Sequence, residues 1–154
     1  MATEHSFECV GQWRGQLMQG TGSLKAGQIA NTFSVPREMG GGGHGTNPEE
    51  LLVAAANSCY LMTLAALLQF EGVAFDELRN SSSAVFVATP SGPVFTQLRH
   101  NPVVFMAPDA RMLFSGTVQS CFLQAERACM VSKAVVGNIQ VSVQGRVESL
   151  LVQA

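Results

Sequence analysis

The sequence predicts an α+β chain, on three observations. Its first third is polar, rich in glycine and dotted with isolated apolar residues. Two later segments are apolar with helical spacing. Alternating runs bounded by turn residues lie between and after them. In order, residues 7–36 read as strands, with Phe7, Cys9, Trp13, Leu17, Leu24, Ile29 and Phe33 spaced among polar residues. Gly20-Thr21-Gly22 and Ala26-Gly27 read as turns, so a small antiparallel meander is expected. Residues 40–43 are four consecutive glycines, followed by His44-Gly45: a loop that is mobile or held at positive φ. No Lys-Ser/Thr pair follows, which argues against a phosphate cradle. The loop reads as a linker that lets the backbone pass close to a helix start.

That start is Asn47-Pro48-Glu49-Glu50. Asn47 suits the N-cap, Pro48 the first helical position, and Glu50 can return a bond to the cap. The helix is expected to run to about Phe70, with Gly72 as its left-handed cap. It is apolar on nearly every face, which predicts a buried central helix. Residues 73–106 return to strands. Ala84–Ala88 and Val94–Leu98 flank Thr89-Pro90-Ser91-Gly92-Pro93, a hairpin connection, and Val103–Met106 extends the second arm or starts another strand. Pro108-Asp109 is expected to break it. Val118, Cys121/Phe122, Ala125, Cys129, Ser132 and Val136 recur at steps of three or four, predicting a second helix over 116–136 that Gly137-Asn138 stops. Ile139, Val141 and Val143 then alternate with polar residues as a half-buried terminal strand.

The 154 residues fit one domain, 1–154. Charged residues are 13% of the chain, against about 25% in an ordinary domain. Apolar residues are 47%, and mean hydropathy is +0.21. So few charges coat a monomer poorly, so part of the apolar surface is expected to lie against a second copy in an obligate homodimer. A monomer wetted by Ser, Gln and Asn is the alternative. Net charge is −2 and no basic stripe exists, which speaks against a nucleic-acid partner. Met1-Ala2-Thr3-Glu4-His5 has neither a basic nor an apolar leader region, so no signal peptide is expected. Leu51–Leu68 is 18 uncharged residues long, the length of a membrane span. Asn57, Ser58 and Thr63 interrupt it and a helix cap precedes it, so no membrane partner is expected. Four cysteines without a secretion signal imply reduced thiols in the cytoplasm.

Cys59 and Cys129 stand 70 residues apart, each inside its own helix-like segment. A thiol deep in an unreactive helix, with a second thiol on another helix, suggests a peroxide-reducing dithiol. Spacing alone also leaves open that both are small buried hydrophobes. Cys9 and Cys121 read that second way. A thiol reacts as its thiolate, so fast attack on a peroxide needs a lowered pKa. Cys59 lies too far along its own helix for that helix's dipole to act. A cation is therefore expected from elsewhere, an arginine for preference, aimed by a carboxylate. Arg37, before the glycine loop, and Arg14, after Trp13, are the candidates; Glu49 is freer than Glu50 to orient one of them. No His/Cys spacing resembles a metal site. A Cys59–His44 hydrolase lacks an oxyanion-hole motif.

Three blocks then carry a resemblance. They are Trp13-x-Gly15-x4-Gly20-x-Gly22; Gly45-Thr46-Asn47-Pro48-Glu49-Glu50-Leu51 with Ala54-Ala55 and Cys59; and Ala125-x3-Cys129-x-Val131-Ser132 ending in Gly137-Asn138. In them the chain resembles, over nearly its whole length, the OsmC/Ohr family of osmotically inducible and organic-hydroperoxide-resistance proteins. Trp13-x-Gly15 looks more like the OsmC branch. The resemblance implies an intertwined α+β homodimer, with antiparallel sheets wrapped around two long central helices and active sites at the interface. It implies a thiol peroxidase of organic hydroperoxides that uses no cofactor. By that analogy Cys59 becomes a sulfenic acid, Cys129 resolves it as a disulfide, and a dithiol, often a lipoyl group, reduces the pair. Glu49 matches the arginine-orienting carboxylate. The OsmC branch favours Arg37 as its partner, the Ohr branch Arg14. Met130 stands where the family commonly has proline, which is expected to lengthen or straighten the helix. A non-catalytic protein of the same fold, holding a hydrophobic ligand or serving a structural role under stress, is the alternative.

Overall fold

The computed structural model describes residues 3–149. The chain divides into two compact units, one ending at Leu51 and one beginning at Leu52. The α+β expectation holds: among the described residues three α-helices and seven strands are formed.

The first unit is the expected meander. Strands β1 (Val10–Arg14), β2 (Thr21–Ala26) and β3 (Ile29–Phe33) pair antiparallel in that order. The turn before β2 was expected to include Gly22, which instead lies inside the strand, opposite both Trp13 and Phe33. The two rings on either side meet at 5.6 Å. A Cβ on Gly22 would overlap the Phe33 ring, so packing, not turning, requires this glycine.

The glycine loop is an ordered strap rather than a free linker. After a 3-10 turn at Arg37–Met39, the chain folds back on the end of β3. Gly43 N–H donates to the Val35 carbonyl (3.0 Å), Thr46 N–H to the Thr32 carbonyl (2.9 Å) and Ser34 N–H to the Thr46 carbonyl (3.0 Å). Gly45, at φ +71°, passes so close to Thr32 that a Cβ would overlap its carbonyl.

Helix α1 (Pro48–Phe70) begins as its cap predicts: Glu50 N–H donates to Asn47 Oδ1 at 2.8 Å. The Glu50 carboxylate accepts the Thr46 hydroxyl (2.8 Å) rather than returning to the cap's own N–H. Gly72, at φ +68°, ends the helix, and Val73 N–H bonds back to the Leu68 carbonyl at 2.9 Å. The expectation of a helix buried on every side fails within one chain. Only Ala56, Tyr60, Leu64 and Leu68 are buried, a single stripe at steps of four. Met62 is 74% exposed and Phe70 84%. By length and composition alone, α1 would suffice to cross a membrane.

In the second unit, β4 (Glu77–Thr89) and β5 (Gly92–Phe105) form a long antiparallel hairpin turned by Pro90-Ser91. The second arm runs unbroken to Phe105. Pro108 does not merely break it. It opens α2 (Pro108–Ala128), eight residues before the predicted start, because proline fits the first helical position. The helix then breaks at Cys129 and restarts as α3 (Met130–Val135). The predicted terminal strand is β6 (Gln140–Val143), followed by a short β7 (Arg146–Glu148); both run parallel to β5. Tyr60, Leu64, Leu68, Val104, Met106, Val118 and Phe122 form the core of this unit, with Cys121 and Cys129 among them. Cys121 is buried as expected, whereas Cys9 is exposed.

Candidate active site

Cys59 packs against the core cluster that includes Cys129, and Cys129 stands at the break between α2 and α3. Cys129 has φ −57° and ψ 123°, an extended turn of the chain that ends α2; its N–H still bonds the Ala125 carbonyl. The expected straightening by Met130 does not occur: the helix bends without a proline. The thiol of Cys129 is buried and that of Cys59 half-buried.

The two sulfurs are electrically unequal. Burial raises the Cys59 pKa, but hydrogen bonds outweigh it and the net direction is down. The lowering comes from polar groups near the sulfur, the Val131 backbone first, then the Cys129 side chain, the Met130 backbone and the Thr63 side chain. The Thr63 hydroxyl donates to the Cys59 carbonyl at 2.8 Å. No cation figures among the causes. Cys129 moves the opposite way. Burial pushes its thiol up and the neighbouring Cys59 sulfur adds to this, against the Ser132 N–H and hydroxyl. The Cys59 thiol is thus the more easily ionised of the two.

The remaining predicted residues belong to the first unit. Arg37 is exposed in the 3-10 turn, and its side chain lies along Gly43, where a Cβ would overlap it. Arg14 ends β1 and is exposed. Glu49 lines an apolar cavity of about 360 Å³ walled by Trp13, Leu17, Phe33, Met39 and Pro48. Its Oε2 is buried without a hydrogen-bond partner. Among the described residues the ion pairs are Glu77–Arg79 and Arg146–Glu148, so Glu49 pairs with neither Arg37 nor Arg14 in the single chain. No group of three metal-ligating side chains occurs among the described residues.

Sequence reasoning passed over His100. It is fully buried, its ring stacked on Tyr60 with centroids 4.5 Å apart. The amides of Asn57 and Asn80 both donate to Ser82 Oγ, at 2.9 and 3.0 Å. That uses both lone pairs of Ser82, so its own proton goes to His100 Nδ1, 2.7 Å away. The imidazole is therefore neutral, with its proton on Nε2, which is buried without an acceptor. Asn57 also donates to the Asn80 carbonyl (2.9 Å), tying α1 to β4 two residues before Cys59. The available signal was register: His100 alternates with Arg99 and Asn101 exactly as the buried Leu98 and Pro102 do.

Burial lowers the His100 pKa from 6.5 to about 4. Below pH 6.5 the unfolded chain takes up a proton that the folded one refuses. Stability is thus expected to fall as pH drops from 6.5 towards 4, by roughly 2–3 kcal/mol. Thermal melts at pH 7.5 and 4.5 measure it. His100→Phe should be less stable at pH 7.5 and lack this part of the slope.

Comparison with known proteins identifies the chain. The profile of the OsmC-like protein family matches residues 40–144, which span α1, the hairpin and both cysteines. The chain belongs to the OsmC-like family. This OsmC-like chain is 30% identical over 145 residues to the uncharacterized protein YmaD of Bacillus subtilis, covering 94% of this chain and 96% of that one. Its fold is similar to an organic hydroperoxide resistance protein OsmC of Legionella pneumophila, with TM-score 0.75 and 19% identity over 92% of this chain and 98% of that one. It is likewise similar to the organic hydroperoxide resistance protein OhrB of Bacillus subtilis, with TM-score 0.69 and 19% identity over 91% and 98%.

Proposed function

We propose that this OsmC-like protein reduces organic hydroperoxides with Cys59 and Cys129 and is recycled by a dithiol. Family membership and the names of its structural neighbours support a peroxide-related redox role. The observation that carries the finer reading is the packing of Cys59 against the core cluster that holds Cys129, and the opposed pKa directions of the two thiols support it. The Cys59 thiolate attacks the terminal peroxide oxygen. The O–O bond breaks, an S–O bond forms, and the departing alkoxide takes a proton to leave as an alcohol. Sulfur is oxidised by two electrons to sulfenic acid. Cys129 then attacks that sulfur, an S–S bond replaces the S–O bond, and water leaves. Two thiol–disulfide exchanges with a dithiol, possible for a lipoyl group, restore both thiols and leave the donor oxidised.

Arg37 is the proposed guanidinium and Glu49 the carboxylate that aims it. Their pair is absent from the single chain, so the proposal requires that assembly create it. A homodimer is supported by the apolar face left open on α1 at Ala54, Met62, Ala66 and Phe70, with Met112 and Leu113 exposed on α2. Reduced thiols fit a cytoplasmic setting.

The test is cumene hydroperoxide with dihydrolipoamide. The expected results are turnover, a Cys59–Cys129 disulfide in peptide maps after one equivalent of peroxide, and twice the chain mass in sedimentation. Absence of both consumption and disulfide sinks the reading. The apolar cavity of the first unit favours a second reading, hydrophobic-ligand binding without chemistry. That reading requires tight binding which survives Cys59→Ser.

A further inference from the structure

Two of the chain's seven methionines form a matched pair. Met18 is 43% exposed and Met39 40%. Both belong to the first unit. Of the two, it is Met39 that lines the apolar cavity of about 360 Å³, beside Trp13, Leu17 and Phe33. The backbone fixes its place there. Met39 closes the 3-10 turn, and its N–H donates to the Pro36 carbonyl at 3.1 Å. Gly41 N–H reaches the same carbonyl at 3.0 Å, and Gly40 N–H bonds the Arg37 carbonyl at 2.9 Å. Gly40 leaves the turn at φ +83°, where a side chain would be strained.

The cavity's volume lies within the range that holds small organic molecules, about 300–1,000 Å³. Two aromatic rings, a leucine and a thioether wall it, so an apolar molecule gains by leaving water for it. Hydrogen peroxide has no apolar body and gains nothing of the kind. Peroxides convert a thioether to its sulfoxide. An organic hydroperoxide retained by this cavity is therefore retained beside the Met39 side chain.

We propose that Met39 is a modification site, oxidised to methionine sulfoxide by organic hydroperoxides that the cavity retains. The sulfur lone pair attacks the terminal peroxide oxygen. An S–O bond forms and the O–O bond breaks. The alkoxide takes the proton that the terminal oxygen carried and leaves as an alcohol. Sulfur is oxidised by two electrons and the peroxide is reduced by two. The product puts a polar sulfoxide into a wall that was apolar, so the cavity holds apolar molecules less tightly. Excess hydroperoxide thereby loosens the site that retains it. This rests on the peroxidase reading for its biological meaning, while the step itself needs only Met39 and the oxidant.

The test uses full-length Cys59→Ser, in which the proposed cycle does not consume the oxidant. One sample receives cumene hydroperoxide and another hydrogen peroxide, and peptide mass spectrometry reads sulfoxide at each methionine. With hydrogen peroxide, Met39 and Met18 are expected to oxidise to about the same extent, as their exposures match. With cumene hydroperoxide the ratio of Met39 to Met18 should rise about tenfold, the gain from burying about two methylene-sized groups. Excess cumyl alcohol, with the same apolar body and no oxidising oxygen, should return the ratio to its hydrogen-peroxide value. The same ratio under both oxidants overturns the proposal, as does a raised ratio that cumyl alcohol leaves unchanged. A wild-type protein that consumes no hydroperoxide removes the peroxidase reading, while this ratio still decides Met39.

A second measurement uses the wild-type chain. Trp13 is its single tryptophan and lines the same cavity, so its emission reports cumyl alcohol binding directly. Prior treatment with cumene hydroperoxide should weaken that binding about fivefold, and methionine sulfoxide reductase with dithiothreitol should restore it. Met39→Leu should show no such loss on the same treatment. Unchanged affinity in a chain that carries Met39 sulfoxide overturns the loosening.

Discussion

Cys59→Ser is expected to lower hydroperoxide consumption by at least about 10³-fold, since a serine hydroxyl is no substitute for a thiolate at neutral pH. The substitution replaces sulfur by the smaller oxygen at a half-buried position, so thermal stability should change little. Cys129→Ser should differ in kind. Its Cys59 thiol is retained, so one equivalent of hydroperoxide is reduced and catalysis then stops. Mass spectrometry should show a sulfenic acid, and with excess peroxide a sulfinic acid, at Cys59. Stopped-flow measurement of the first turnover beside steady-state consumption separates the two variants. Full multiple turnover by Cys129→Ser would remove this cysteine from the cycle.

The largest stability effect is expected one residue further along α1. Tyr60 is fully buried, stacks on His100 and donates its hydroxyl to the Phe122 carbonyl at 3.1 Å. Burial, with the charge of Glu126 next, pushes its pKa up, so the phenol stays a donor. Tyr60→Ala leaves a ring-sized cavity between α1, α2 and the sheet. The cost is about 3–5 kcal/mol, a large share of the roughly 5–15 kcal/mol that holds a domain folded. Tyr60→Phe keeps the ring and loses one hydrogen bond, at about 1 kcal/mol. Urea denaturation of the reduced protein should rank wild type, Phe and Ala in that order. Equality of the Phe and Ala variants would show that the ring is not what the core depends on.

Local signals in the sequence located most elements. Asn47 and Gly72 cap α1 as their residue types require, and Pro90-Ser91 turns the hairpin. The misses share one cause, which is that neighbours distant in sequence decide the outcome. Pro108 looks like a breaker until it is seen at the first position of α2. Gly22 looks like a turn until the Phe33 ring is placed over it. Cys129 sits on an unbroken helical stripe, yet the chain bends there. For the candidate site, the sequence singled out the thiols, but it demanded a cation for Cys59. It could not show that Glu49 lacks an arginine within its own chain. His100 was legible only through its register in β5, which pairing with β4 and β6 defines.

The bend at Cys129 bears on the proposed cycle, because a residue inside a regular helix is held by backbone hydrogen bonds on both sides. In this chain the sulfur sits at a joint between two helical rods, and Ala125 and Lys133 hold the joint from either side. Under the proposed cycle, this joint would let the Cys129 side chain react while the helical segments on either side stay formed.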